Sequence, residues 1–248
     1  MADPFSPDPL PRLARVEAVG HLAYGVFGAA ARFGPLTAVH TGPGVPVNTG
    51  WHDGGDPPTE TDLAAFEGFC AGHGQPAILH LLSHAAPPLL ALLSSRGYGL
   101  TGVLHAYTRP LTDLPTPPTL DVREEAGAET WADLASLAFG PGSGAIMGLN
   151  ARLPGTHRLV ARVDGTPAGV AALSVREGVA ALYSAATLPE FRGRGVQTAL
   201  LAARLHLAAE LGADLASVVV TPGSGSERNV RRAGFGVAGA RLTFTRER

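Results

Sequence analysis

Lysine is missing from the 248 residues, so all 19 basic side chains are arginine, while glycine (32) and proline (21) are abundant. This pattern reflects coding bias rather than a binding property. Cysteine is almost missing too: Cys70 stands alone and cannot close an internal disulfide. No apolar run reaches the roughly 18 residues that suggest a membrane span. The stretch Met1 to Pro11 is Pro-rich and acidic and lacks the basic start and apolar run of a secretory signal. Neither sign of charge dominates, and a net charge of -2 with a pI near 6.5 argues against a nucleic-acid or anionic-lipid partner. A cytoplasmic protein acting on a small soluble ligand is the expectation.

The chain is long enough for one large core or two ordinary ones. From Arg109 to Leu120 it carries too many prolines for a helix or a central strand, which predicts a linker. The expected division is a domain over 1–112, a Pro-rich linker over 113–120 and a second domain over 121–248. The halves also resemble each other at a shift of 137 positions. Gly97-Tyr98-Gly99-Leu100-Thr101-Gly102 with Tyr107-Thr108-Arg109 falls on Gly234-Phe235-Gly236-Val237-Ala238-Gly239 with Phe244-Thr245-Arg246. The same shift lays Leu36 to Val39 on Leu173 to Arg176 and Thr61 to Ala71 on Thr198 to Ala208, as a duplication would.

In the second half, patterning predicts a helix over about Glu129 to Ala138 and strands over Arg158 to Val163, Ala168 to Val175 and Ala180 to Thr187. Asp164-Gly165 and Glu177-Gly178 read as the turns between them. Val196, Leu200, Ala203, Leu207 and Leu211 recur at helical spacing, with Gly212 placed to stop the helix. Leu215 to Val220 reads as a buried strand, Glu227 to Arg232 as a short helix and Arg241 to Thr245 as a last strand. The segment Phe139 to Met147 reads as a loop that selects the substrate.

Arg192-Gly193-Arg194-Gly195-Val196-Gln197 lies between a strand and a long helix, where unpaired amides and the helix dipole can hold an anion. Gly193 and Gly195 let the backbone curl and let phosphate oxygens approach without meeting a Cβ atom. This segment resembles the acetyl-CoA signature of the GCN5-related N-acetyltransferases: Arg or Gln, then Gly three residues on, then Gly or Ala two further. Arg192 and Gly195 match, and Gln197 stands in the last place. Ser226 to Phe235 resembles the family's second block, which contacts the CoA arm. The resemblance spans about Glu125 to Arg248. It implies an α/β fold of two such repeats, each a mixed twisted sheet flanked by helices, and acetyl-CoA as co-substrate. Its implied contacts are Ala185, Thr187, Arg192, Arg194, Gly195, Val196, Gln197, Thr198 and Asn229.

The implied activity is acetyl transfer to a primary amine on a small molecule or a protein, with the acceptor unidentified. Such transfer needs a neutral amine, a polarised thioester carbonyl and a proton for the departing thiolate. In relatives the splayed strand before the loop gives a backbone N–H to the carbonyl, and Ala185-Ala186-Thr187 match that stretch. Many relatives carry a Tyr as acid where this chain has Val230. Tyr183 and Ser226 are then the candidate side-chain acids, with water as the third choice, and no general base stands out. Those gaps keep a second class open, a non-catalytic acyl-CoA-binding or regulatory module.

At the shifted register the first half has Gly55-Asp56-Pro57-Pro58-Thr59-Glu60 in place of the loop. Two prolines remove amide donors and two acids repel a pyrophosphate, so this half is expected to keep the fold without the cofactor site. It resembles the silent repeat of tandem acetyltransferases. Cys70, His73, His80 and His84 suggest zinc, but strand residues four apart, such as His80 and His84, lie roughly 13 Å from each other, too far for one ion. No metal is expected. His21 and His206 fall in helical patterns as surface or packing residues.

Overall fold

The computed structural model describes residues 8–247, so most of the Met1 to Pro11 stretch, and Arg248 at the end of the expected second domain, lie outside the described residues. In chain order the elements are α1 (Leu10–Leu22), β1 (Ala29–Phe33), β2 (Leu36–His40), β3 (Gly50–His52), α2 (Glu60–Gly72), β4 (Ala77–Leu82), α3 (Leu90–Ser95) and β5 (Gly99–Pro110). There follow β6 (Asp121–Glu124), α4 (Ala128–Phe139), α5 (Gly144–Arg152), β7 (His157–Val163), β8 (Thr166–Arg176) and β9 (Val179–Thr187). Last come α6 (Val196–Glu210), β10 (Leu215–Val220), α7 (Gly225–Arg232) and β11 (Gly236–Arg246).

The chain forms two compact units. One runs to Ala106 and resumes at Val237, and the other is Tyr107–Gly236. The division therefore falls inside β5 rather than at 113–120, and nearly all of β11 belongs to the first unit instead of closing the second. The expected linker is not a free tether. Within the second unit Leu111 N–H donates to Asp214 O (2.9 Å), Pro115 O accepts from His206 Nε2 (2.8 Å), and Leu114 and Leu120 pack on the core. Prolines remove donors from a segment but leave its carbonyls and apolar side chains able to dock.

In the first unit the strand order is β1, β2, β3, β4, β11, β5. β3 and β4 are parallel, and the β1–β2, β2–β3 and β4–β11 pairs are antiparallel. β11 sets Arg241 opposite Leu82 and Arg246 opposite Ala77, and drops Phe244 into a core with Leu63, Phe66, Leu79 and Leu81. The start of α2 is closed by its own side chains: Thr59 Oγ1 accepts from Asp62 N–H (3.1 Å) and Asp62 Oδ2 accepts from Thr59 N–H (2.9 Å).

The residues that suggested zinc have separate partners. Cys70 is buried, which pushes its thiol up to about 11. His73 stacks on His40, His80 Nδ1 lies 3.0 Å from Thr243 Oγ1, and His84 Nε2 donates to Gly54 O (3.4 Å). Among the described residues no three His, Cys, Asp or Glu are grouped to hold a metal ion, and no helix is long and apolar enough to cross a membrane. His21 packs inside the unit, its Nε2 donating to Val47 O (3.0 Å), and burial pulls its pKa down to about 4.

In the second unit the order is the end of β5, then β10, β9, β8, β7, β6. Only β9 and β10 of the β6–β10 series pair in parallel. Asp164-Gly165 (φ 51° and 78°) and Glu177-Gly178 (φ 47° and 73°) make the hairpin turns, with positive φ at both positions as primed turns require. Alternation along the strands sorts the side chains to two faces. Leu159, Ala161, Ala171, Leu173, Ala180 and Leu182 meet α6 through Leu200, Leu201 and Leu205. Val160, Val170 and Ala172 meet Trp131, Ala135, Met147 and Ala151 of α4 and α5. Trp131 is fully buried, and its Nε1–H donates to Leu159 O at 3.1 Å.

Three sequence expectations need correction here. The segment expected as a substrate loop becomes helical from Gly144 on, as α5, and β6 was missed altogether. The buried stripe of α6 is Val196, Leu200, Arg204 and Ala208 with Leu201 and Leu205, whereas Leu211 is 39% exposed. This helix is apolar almost all round, so periodicity could not choose its face.

Candidate functional site

The site begins where β9 and β10 part. Their parallel ladder pairs Leu215 with Val179, Ala216 with Ala180 and Ser217 with Ala181, and goes no further. On its other edge β9 carries a bulge: Val170 pairs with Ala186 but Ala172 with Tyr183, so three steps on β9 span two on β8. The extra residue bends the strand at Ser184, which sits at φ 49°, a region where a side chain is strained. The missed helix α5 holds this bend in place, with Asn150 Nδ2 donating to Ser184 Oγ at 2.9 Å.

Between the parted strands lies a cleft of about 310 Å³. Its walls include Tyr183, Ser184 and Ala185 of β9, Gln197, Leu201 and Arg204 of α6, Val218 to Thr221, and Ser226, Asn229 and Val230 of α7. The cleft thus gathers five of the expected site residues: Tyr183, Ala185, Gln197, Ser226 and Asn229. Thr187, Arg192, Arg194, Gly195, Val196 and Thr198 do not line it. They form the end of β9, the connecting loop and the first turn of α6.

That turn is built as an open amide nest. Gly195 occupies the cap position in the left-handed region (φ 77°, ψ 3°), and no side chain caps the helix. The first intrahelical bond runs from Ala199 N–H to Gly195 O, so helix geometry assigns no partner to the amides of Val196, Gln197 and Thr198. Gly193 also has positive φ, and a Cβ at either glycine would meet nothing within 4 Å. Conformation rather than crowding therefore requires glycine at both. Close approach matters at Gly169 instead, where a Cβ would fall 2.6 Å from Val196 Cγ1 and 2.8 Å from Ala186 O. This glycine lets α6 settle on β8 directly beneath the nest.

Arg192 and Arg194 are exposed, and Arg194 bonds Asp164 at 2.9 Å in an ion pair so open to water that it holds the side chain only weakly. Gln197 Nε2 donates to Thr187 Oγ1 at 3.2 Å. Tyr183 lies half-buried against the α4–α5 core, with its hydroxyl 2.7 Å from Thr156 Oγ1. The expected capping role of Ser226 falls to Ser224 instead, whose Oγ accepts from Glu227 N–H at 3.1 Å. Ser226 stands exposed in the first turn of α7 at the cleft wall. Asn229 Oδ1 accepts from Arg232 at 2.6 Å. Val230 is buried, so no phenol projects from that position.

Sequence reasoning missed Glu227. Its buried carboxylate accepts from Tyr107 Oη–H (2.9 Å) and from Gly223 N–H (2.7 Å), pinning the 221–224 turn to the core and so fixing where α7 meets the cleft. A buried acid that accepts from a strand phenol and a turn amide cannot be seen in local spacing.

The model of the acetyltransferase (GNAT) family matches part of this chain. That match covers residues 115–235. The whole chain has the fold of a GCN5-related N-acetyltransferase from Kribbella flavida, with a TM-score of 0.75 at 21% identity over 97% of this chain and 96% of that one. A GCN5-related N-acetyltransferase from Sphaerobacter thermophilus aligns with a TM-score of 0.54 and 16% identity over 80% and 71% of the two chains. A tandem GNAT protein from the clavulanic acid biosynthesis pathway aligns at 0.60 and 16% identity over 86% and 77%. No curated protein matches the chain.

Proposed function

We propose that the GNAT unit binds acetyl-CoA and transfers its acetyl group to a primary amine. The observation that carries this reading is the continuity of two features. The amide nest at Gly195 can hold the pyrophosphate, and the cleft opened by the Ser184 bulge starts beside it and can take the pantetheine arm. Arg192 and Arg194 add charge at the mouth, and Thr187, Gln197, Thr198, Ala185 and Asn229 line the path. The amine nitrogen attacks the thioester carbon, a C–N bond forms, the C–S bond breaks, the nitrogen loses a proton and the thiolate gains one. Tyr183 and Ser226, both on the cleft wall, are the side-chain candidates to deliver that proton, with water as the alternative. Purified protein, acetyl-CoA and a panel of amines, followed by release of free thiol, test the reading.

One observation favours a second reading, a non-catalytic acyl-CoA-binding module. The cleft wall contains no carboxylate and no imidazole among the described residues, and Val230 takes the place of the expected acid. Tight acetyl-CoA binding without turnover on any amine would select it.

We further propose that the first unit is a repeat that has lost its cofactor loop. The capping box of α2 supports this, because Asp62 occupies the helix start that the GNAT unit leaves open. The two helices begin at Glu60 and Val196, nearly in phase at the shift seen in sequence.

A further inference from the structure

The proposed reaction makes no use of one buried cation in the cleft. Arg204 lies four residues after Leu200 and eight after Val196, in the stripe that α6 buries, and is 4% exposed. Its Nε–H donates to Leu200 O at 3.2 Å. Among the described residues no carboxylate pairs with it. Burial alone lowers its pKa, to about 10, which leaves the guanidinium charged at neutral pH. Taking such a group out of water is costly, and folded proteins ordinarily offset that cost with a paired anion. Here the described residues supply none, and the side chain lines the cleft. Its planar fork of N–H donors matches a carboxylate in two-point fashion.

The placement says which ligand would bring the anion. Leu182 and Val218 are the first residues beyond the last β9–β10 pair, so they mark the closed end of the cleft, and Arg204 shares its wall with them. Leu182 faces the α6 core, while Tyr183 faces the α4–α5 core on the other side of the sheet. Arg204 is therefore on the α6 face, the side of the amide nest, from which an acyl-CoA arm would enter the gap between the strands, and Tyr183 borders that gap from the other face. Leu182, Leu201 and Val218 give the cleft an apolar wall beside Arg204.

We propose that Arg204 makes the cleft prefer acyl-CoA donors whose acyl chain ends in a carboxylate, an inference that rests on the acyl-CoA reading above. Acetyl-CoA occupies the same site without this ion pair. Calorimetry with succinyl-CoA, its uncharged counterpart butyryl-CoA and acetyl-CoA tests it. The wild-type protein should bind succinyl-CoA at least tenfold more tightly than butyryl-CoA. Arg204→Met should bring that ratio near one while acetyl-CoA affinity stays within about threefold, and Arg204→Lys should keep part of the preference. A wild-type ratio near one overturns the proposal even if both variants fail to fold, as does a preference that survives in folded Arg204→Met. With acetyl-CoA as donor, an amino acid and its amide are compared as acceptors in wild type and Arg204→Met. Discrimination lost only there would put the carboxylate on the acceptor and overturn the donor assignment. If acetyl-CoA and butyryl-CoA bind and only the charge preference is missing, the acyl-CoA site stands. If no CoA thioester binds, the site reading itself falls, and the proposal with it.

Discussion

Gly195 offers the sharpest test of the phosphate nest, because its role can be separated into conformation and charge. At φ 77° and ψ 3° an L side chain costs about 1–2 kcal/mol, and since a Cβ there touches nothing within 4 Å, Gly195→Ala adds no steric cost. That energy must appear in one of two places. If the variant loop keeps its left-handed turn, stability falls and acetyl-CoA affinity holds, with Tm dropping roughly 2–8 °C for a protein of this size. If the loop relaxes to negative φ, the amides of Val196 to Thr198 swing off target and affinity drops about 5- to 30-fold. Thermal unfolding and calorimetry on one preparation should account for the same 1–2 kcal/mol between them. Gly195→Glu adds a charge. At about 5 Å and an effective dielectric constant near 20, one phosphate charge repels it by about 3 kcal/mol, more than 100-fold in affinity. A folded Gly195→Glu protein that binds acetyl-CoA as the wild type does would refute the placement of the pyrophosphate.

Titration of the wild type with acetyl-CoA should saturate near one equivalent per chain; a second saturable site that persists in Gly195→Glu would show that the first unit kept a cofactor loop. Once an acceptor is known, Tyr183→Phe should lower kcat about 100-fold with cofactor affinity little changed if Tyr183 is the acid, and near-normal kcat in both Tyr183→Phe and Ser226→Ala would leave water as the donor. Glu227→Ala removes the bonds its carboxylate accepts from Tyr107 Oη–H and Gly223 N–H, and should cost about 2–4 kcal/mol in denaturant unfolding; a loss under 1 kcal/mol would show that those bonds matter little. Gly169→Val forces α6 off β8 at the nest, so it should weaken acetyl-CoA binding more than Gly193→Ala does, and the opposite ranking would contradict the close contact seen there.

Local signals made most of the second unit legible. β10 was expected at Leu215 to Val220 and is found there, because a continuous apolar run between turn residues has little else to be. Asp164-Gly165 fixed a hairpin, and the Arg192 to Gln197 loop was visible because glycine spacing before a helix has direct physical meaning. What stayed hidden depends on partners distant in sequence. Alternation in β11 says that it is a strand, but not that it pairs with β4. Arg204 falls in a helix that is apolar almost all round, so nothing near it in sequence marks its place as buried and facing a cleft. α5 was missed because Pro141, Gly142 and Gly144 mask its start, and the bond from Asn150 to Ser184 exists only once helix and bulge are both formed. The proposed duplication rests on the phase of Gly97 and Gly234, both of which hold positive φ after a short helix.

Because β11 lies between β4 and β5 in the first unit's sheet, that unit stays incomplete while the ribosome makes everything between them. Synthesis at about 5–20 residues per second leaves the first unit without this strand, and without Phe244 in its core, for roughly 7–27 seconds after β5 has been made. Over that interval β4 offers an unpaired edge beside an unfilled apolar core, the kind of surface that chaperones bind and that neighbouring nascent chains can extend. A stop codon just after Gly236 would therefore do its damage far from its own position in sequence, leaving the second unit with all its cleft residues while the first unit fails to mature.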